Sequence, residues 1–295
     1  MKMEVKTYRK ELQSDRIYPA KEKFFNTRRK TIILISISLL FIAYIFIHGS
    51  LINEDMLQVD FQNKLKGPSV LHIFGTDAKG RDMYLRTVKG LCISLQVGII
   101  ASGLSILIAI LLSLCLAGSS KRIDGFINWL IDVFLSIPHM MFLILISVAV
   151  GRGLKGVVIG IALTHWTGIT RLIRAEIKQI KEENFLKISK ALGKSNLYIA
   201  LNHVLPHLLP QILVGAVLLF PHAILHESAI SFLGFGLDIT KPAIGIILQE
   251  SMTYLARGYY YLAFFPGLML VLIVLVINGL GENLRKIFDP YSYHE

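Results

Sequence analysis

Glu176-Ile-Lys-Gln-Ile-Lys-Glu-Glu-Asn-Phe-Leu-Lys-Ile-Ser-Lys-Ala-Leu-Gly193, followed by Lys194-Ser195-Asn196 and then His203-Val204-Leu205-Pro206, is strongly amphipathic and lies between two hydrophobic runs. Phe185, Ile188, Ala191 and Leu192 recur at steps of three and four, which predicts an apolar stripe on a helix whose other faces carry Lys181, Glu182, Glu183, Lys187 and Lys190. Gly193 marks its end, since glycine stops helices without steric cost. Two readings of such a segment stand open: a helix lying on lipid headgroups, or a charged lever held at a membrane surface for another protein to grip.

The rest of the chain supplies the membrane. Of its 295 residues 54 % are hydrophobic and 17 % charged, and the mean hydropathy is +0.59; a soluble domain carries about 25 % charged residues. A bilayer core takes about 20 apolar residues per helix. Six runs qualify: about 31 to 48, 88 to 118, 126 to 150, 154 to 170, 208 to 235 and 261 to 281. The second is long enough to tilt or protrude. Prolines 138, 210, 221 and 266 fall in or beside these runs, where each removes a backbone hydrogen bond and is expected to kink its helix.

A net charge of +11 ordinarily suggests an acidic partner or nucleic acid. Here the lysines and arginines fall between the spans: ten in 1–30, two in 119–125, seven in 171–195 and two in 285–295, against ten spread elsewhere. By the positive-inside rule both termini are expected in the cytoplasm, which accounts for the basic balance without nucleic acid. Arg28-Arg29-Lys30 precedes the first run with no small-residue cleavage site, so that run is read as a retained anchor. The expected organisation is a basic segment 1–30, a first span 31–48, an extracytoplasmic segment 49–87, a core 88–284 with a cytoplasmic loop 171–205, and a cytoplasmic tail 285–295. Cys92 and Cys115 lie in apolar runs and are read as buried small hydrophobes, not as a disulfide or metal pair.

Ionisable residues inside spans are costly and invite a functional reading. The candidates for a translocation pathway are Asp132, His165, His222, His226 and Glu227. His222 and His226 share one face of a helix, the spacing of a two-imidazole metal pair, and His165 is a possible third ligand. The competing readings are an interhelical cap at Asp132 and ordinary interhelical hydrogen bonds at the histidines. His226-Glu227 opens like a zinc-protease motif, but Ile230 stands where the second histidine belongs, and no Gly-x-Ser-x-Gly elbow occurs. The chain also has no phosphate loop of the Gly-x-x-x-x-Gly-Lys-[Ser/Thr] type, so energy for any pumping must come from a partner.

Gly75-Thr76-Asp77-x-x-Gly80-Arg81-Asp82, Lys187 to Gly193 with Leu205-Pro206, Ser231-Phe232-Leu233-Gly234-Phe235-Gly236, Phe265-Pro266-Gly267, and Gly281-Glu282-Asn283-Leu284-Arg285 with Asp289-Pro290 occur in that order. Together they resemble the second permease subunit of dipeptide, oligopeptide and nickel ABC importers, over roughly residues 70 to 290. The resemblance implies an all-α polytopic protein of six transmembrane helices with the type I ABC importer permease fold, in the inner cell membrane. It implies as partners a homologous second permease, two ATPase subunits that bind ATP and Mg²⁺, and an extracytoplasmic substrate-binding protein, with no cofactor in this chain and no catalysis by it. It also makes 185–193 the coupling helix, through Phe185, Leu186, Lys187, Ile188, Ser189, Ala191, Leu192 and Gly193, with Leu205 and Pro206 closing the motif. His165-Trp166 and His222-x-x-x-His226 resemble the nickel branch, whereas Glu227 resembles the peptide branch. The main expectation is import of nickel or a chelated metal by alternating access; the alternatives are a peptide importer and, remotely, a channel needing no ATPase.

Overall fold

The computed structural model describes residues 20–118 and 121–288. The basic segment up to residue 19, and the tail from residue 289 with Asp289-Pro290, lie outside the described residues. Among the described residues ten α-helices follow one another: α1 (Ala20–Leu51), α2 (Met83–Gly118), α3 (Lys121–Ser136), α4 (His139–Val150), α5 (Leu154–Ile180), α6 (Asn184–Ala191), α7 (Asn196–Ile199), α8 (Leu205–Phe232), α9 (Ile244–Leu255) and α10 (Tyr261–Phe288). A wide π-type turn, Ala200–Val204, joins α7 to α8. Among the described residues the sole β feature is a bridge between Thr76 and Asp82.

Among the described residues five stretches are long and apolar enough to cross a bilayer, and α3 with α4 forms a bent pair, either a broken sixth span or a re-entrant loop. That pair corrects the expectation of one span over 126–150, because its halves are bent by 94° at Ile137-Pro138. Proline both lacks the N–H and forces the preceding residue out of helical geometry, so the chain restarts as a new helix at His139. The fourth span, expected to end at 170, runs on to Ile180. Ile169, Ile173, Ile177 and Ile180 continue a buried stripe past the membrane-length segment, packing with Leu186, Ile199, Val204, Leu208 and Ile212. Apolar periodicity therefore outlasts apolar composition on this helix.

Helix α2 is the central post, packed on α1, α5 and α8. Its 36 residues reach about 54 Å, more than the roughly 30 Å hydrocarbon core. Helix α1 lies at the edge against α2 and α10. Lys89 Nζ donates to the carbonyls of Gly49 and Ile52 at 3.0 and 2.9 Å, satisfying end-of-helix acceptors with a cation where the helix dipole favours one. Cys92 is buried as expected, but Cys115 is exposed, against the expectation; an apolar residue in a span faces lipid as readily as protein.

Beyond the end of the bundle where α1 finishes and α2 begins, residues 52–82 form a structured loop built on Asp77. Its Oδ1 accepts from the Lys79 and Arg81 N–H groups, and its Oδ2 from Arg81 Nε and Arg86 Nη1, all at 2.7–2.9 Å. Arg86 Nη2 continues to Glu250 of α9 at 2.7 Å. Two guanidinium groups and two carboxylates thus tie the loop, α2 and α9 together, which explains the spacing of the Gly75-to-Asp82 motif. Helix α9, 12 residues long, is too short to span and was not anticipated; it packs on α8 and α10.

Candidate coupling surface and intramembrane polar groups

At the opposite end of the bundle, α6 stands outside the spans. Leu186 points inward at 7 % exposure, and Ser189, three residues on, is also buried. Ser189 Oγ lies 3.3 Å from His203 Nε2 in the π-type turn. These two positions fasten α6 to the base of α8. The remaining apolar residues face away: Phe185 is 42 % exposed, Ile188 60 % and Leu192 73 %, with Lys187 and Ala191 exposed between them. The apolar stripe read from the sequence is thus real, and nothing among the described residues covers it.

The helix ends in a double-bonded turn. Gly193 N–H donates to the Lys190 carbonyl at 3.0 Å and Lys194 N–H to the Ser189 carbonyl at 3.2 Å, the pattern in which a left-handed residue closes a helix. Gly193 supplies it, with φ +75°. A Cβ added there would meet nothing within 4 Å, so the requirement for glycine is conformational and not steric. Lys194 Nζ sits 4.8 Å over the Tyr198 ring, and Ser195 caps α7 by accepting from Tyr198 N–H at 3.2 Å. Leu205 is half-buried against the core, and Pro206 is exposed in the first turn of α8. At the end of α5, burial pushes the Lys181 ammonium below its ordinary value, against the opposing pull of Asp124.

The intramembrane candidates separate. Asp132 is exposed on α3 and binds Arg171 of α5 at 3.1 Å and Asn128 at 2.9 Å. Beside it Arg174 holds Asp124 through two bonds of 2.6 and 2.9 Å. Asp132 is therefore one of a row of polar links between α3 and α5. Glu227 is at 0 % exposure. Its carboxylate accepts from Ser94 Oγ at 2.5 Å, Ser231 Oγ at 2.8 Å and Ser228 Oγ at 3.4 Å, so it ties α8 to α2. Ser231 Oγ also accepts from Leu237 N–H at 3.2 Å. Gly236 carries no side chain because a Cβ there would lie 2.3 Å from that same hydroxyl oxygen. The Ser231-to-Gly236 motif is thus a tight turn; the Phe235 and Gly236 carbonyls receive Ser147 Oγ and Gly153 N–H at 3.0 and 2.9 Å. A cleft of about 350 Å³ opens beside this turn, lined in part by Arg152, Ser231, Asp238 and Gln249.

The histidines group differently from the sequence expectation. His165 and His226 do meet, with ring centroids 5.0 Å apart. Their third neighbour is His139, 4.7 Å from each, while His222 is exposed one turn away on α8. The pair His222/His226 shares a helix face, as its spacing requires, but that face does not bring both rings to one point. His139 escaped notice because only the break at Pro138 turns it inward.

Residues 101–291 match the family described as binding-protein-dependent transport system inner membrane component. The dipeptide transport system permease protein DppC of Alkalihalophilus pseudofirmus is 32 % identical over 276 residues, covering 93 % of this chain and 90 % of that protein. DppC of Bacillus subtilis is 32 % identical over 223 residues, 76 % of this chain and 70 % of that protein. A putative peptide permease protein of Brucella suis is 33 % identical over 233 residues, 79 % of this chain and 77 % of that protein. With its five or six candidate crossings and its helix set outside them, the chain belongs to the family of binding-protein-dependent inner-membrane components, the permease subunits of ABC importers.

Proposed function

We propose that this chain is one of two homologous permease subunits of an importer that moves short peptides inward by alternating access. The observation that carries the coupling role is α6: an eight-residue helix, anchored inward by Leu186 and Ser189, that offers Phe185, Ile188 and Leu192 to a partner. Burying such side chains is worth about 1.5–3 kcal/mol each when complete, a sufficient grip for a docked ATPase subunit. Two ATPase subunits would take α6 and its counterpart, and a binding protein would deliver substrate at the end that carries residues 52–82. Arg171, Arg174, Lys178, Lys181, Lys187, Lys190 and Lys194 cluster at the α6 end, which by the positive-inside rule supports a cytoplasmic position for that end.

For the cargo, the relatives' names favour peptide over nickel: two are named for dipeptides and one for peptides. The nickel reading leaned on His222 with His226, and His222 is exposed and outside the group that His226 forms with His139 and His165. In a strain lacking the native gene, the chain with its partner subunits should restore uptake of a radiolabelled dipeptide. Radioactive nickel should not accumulate above background. Nickel uptake without peptide uptake would reverse the assignment, and peptide uptake that persists when the ATPase subunits are deleted would favour a channel.

A further inference from the structure

His139 at the start of α4, His165 midway along α5 and His226 near the end of α8 offer one ring nitrogen each within 4.8 Å of one another. Counted from the helix ends Val150, Leu154 and Phe232, these residues lie about 16, 16 and 9 Å deep, well inside the span bundle. Edge-to-face packing accounts for ring centroids 4.7–5.0 Å apart. It does not account for the nitrogens: Nε2 of His165 and Nε2 of His139 are buried with no hydrogen-bond partner. A buried polar atom left in that state costs about 1–3 kcal/mol.

The tautomers follow from the neighbours. His165 is 9 % exposed, and its Nδ1 lies 3.0 Å from the Ile161 carbonyl. A carbonyl only accepts, so Nδ1 carries the hydrogen and Nε2 is a bare lone pair. His226 Nδ1 lies 3.1 Å from Met140 Sδ, another acceptor, which leaves the Nε2 of His226 bare as well. Backbone or side-chain acceptors behind a histidine are what orient it as a metal ligand. Glu227, the carboxylate next in sequence, spends both oxygens on serines, so the donor set is nitrogen with a thioether beside it. Such donors suit zinc, nickel or copper and not magnesium or calcium. With metal–nitrogen bonds of about 2.0–2.1 Å, three imidazole centroids around a tetrahedral ion stand about 5 Å apart. The rings already have that separation, so they need to turn and not to travel.

We infer that His139, His165 and His226 form a binding site for a borderline-soft transition-metal cation within the span bundle. This goes beyond the peptide reading and does not rest on it. The test uses the full chain in detergent, purified on a tag without histidine, stripped with chelator and dialysed against Zn²⁺, Ni²⁺ or Co²⁺. One equivalent should be retained, with Co²⁺ showing the absorption of a tetrahedral nitrogen site. His139→Ala and His165→Ala should lose the metal, and His222→Ala should keep it. X-ray absorption of the zinc-loaded natural chain should show three imidazoles, which decides the matter even if the variants do not purify. No retained metal, an oxygen-dominated shell, or equal retention in the His139/His165 double variant would overturn the site. Dipeptide uptake, measured separately in cells, reports on transport and leaves the two conclusions separable.

Discussion

Replacing Gly193 isolates the mechanical role of α6 from its surface. The residue holds φ +75°, and a side chain there would find open space, so a substitution is penalised only through the left-handed backbone. That penalty is about 1–2 kcal/mol for an ordinary L-residue, and less for asparagine, which tolerates this region. An eight-residue helix has little stability of its own, and 1–2 kcal/mol corresponds to about 5–30-fold in a two-state population. The closed-to-open ratio of the α6 terminus should therefore fall by about that factor in Gly193→Val, and by less in Gly193→Asn. The assay is initial dipeptide uptake against ATP hydrolysis in membranes carrying the complete transporter, with the amount of inserted chain measured alongside. Uptake should follow the order glycine, asparagine, alanine, valine, while hydrolysis continues. Full coupled uptake by Gly193→Val at normal chain levels would refute the view that the left-handed closure of α6 transmits force.

Other substitutions separate surface from support. Ile188→Asp and Leu192→Asp alter exposed positions and should leave the melting temperature in detergent unchanged while abolishing co-purification of the ATPase subunits. Leu186→Ala removes an inward anchor and should cost about 2–5 kcal/mol of local stability, read as faster proteolysis between 181 and 195. Glu227→Ala leaves the hydroxyls of Ser94, Ser228 and Ser231 without their shared acceptor, a loss of about 1–3 kcal/mol; the melting temperature should drop, and Glu227→Gln, which keeps an acceptor, should recover part of it. Arg86→Met removes the buried guanidinium that Asp77 and Glu250 share and leaves both to Arg81 alone; the loss should fall below the value of about 3–5 kcal/mol for a fully buried pair, and the variant should expose residues 52–82 to protease without affecting α6.

Long-period features were legible in the chain and convergent ones were not. Apolar runs of membrane length revealed the crossings, and a 3–4 step revealed the outward stripe of α6, because both are local consequences of helix geometry. Pro138 was visible as a kink, but its 94° consequence depends on what α4 packs against after the break. Helix α9 was missed because 12 residues fall short of a span, and Glu250 with it. Glu227 drew attention as an intramembrane charge; two of its serines lie one and four residues ahead on the same helix, but Ser94 is 133 residues away. His222 and His226 were paired by spacing, the only relation a sequence displays directly. His139, His165 and His226 come from three separate helices, and no local rule relates their positions.

The two functional regions are joined by one element. Helix α5 runs unbroken from Leu154 to Ile180, so His165 and the base of α6 are about 22 Å apart on a single rod. A displacement at α6 reaches His165 along that rod, and Arg171 and Arg174 carry it sideways to Asp132 and Asp124 on α3. It reaches His139 directly as well, because α4 packs along α5 and the His139 and His165 rings stand 4.7 Å apart. A slide of α5 past α4 or α8, the helices it packs against, would shear His165 past His139 or His226 and alter the spacing of the three rings. A metal bound between them would resist that shear, so occupancy of the histidine cluster and movement of α6 should oppose each other. The measurable consequence is slower ATP-driven dipeptide uptake with Zn²⁺ present, and loss of that inhibition in His139→Ala.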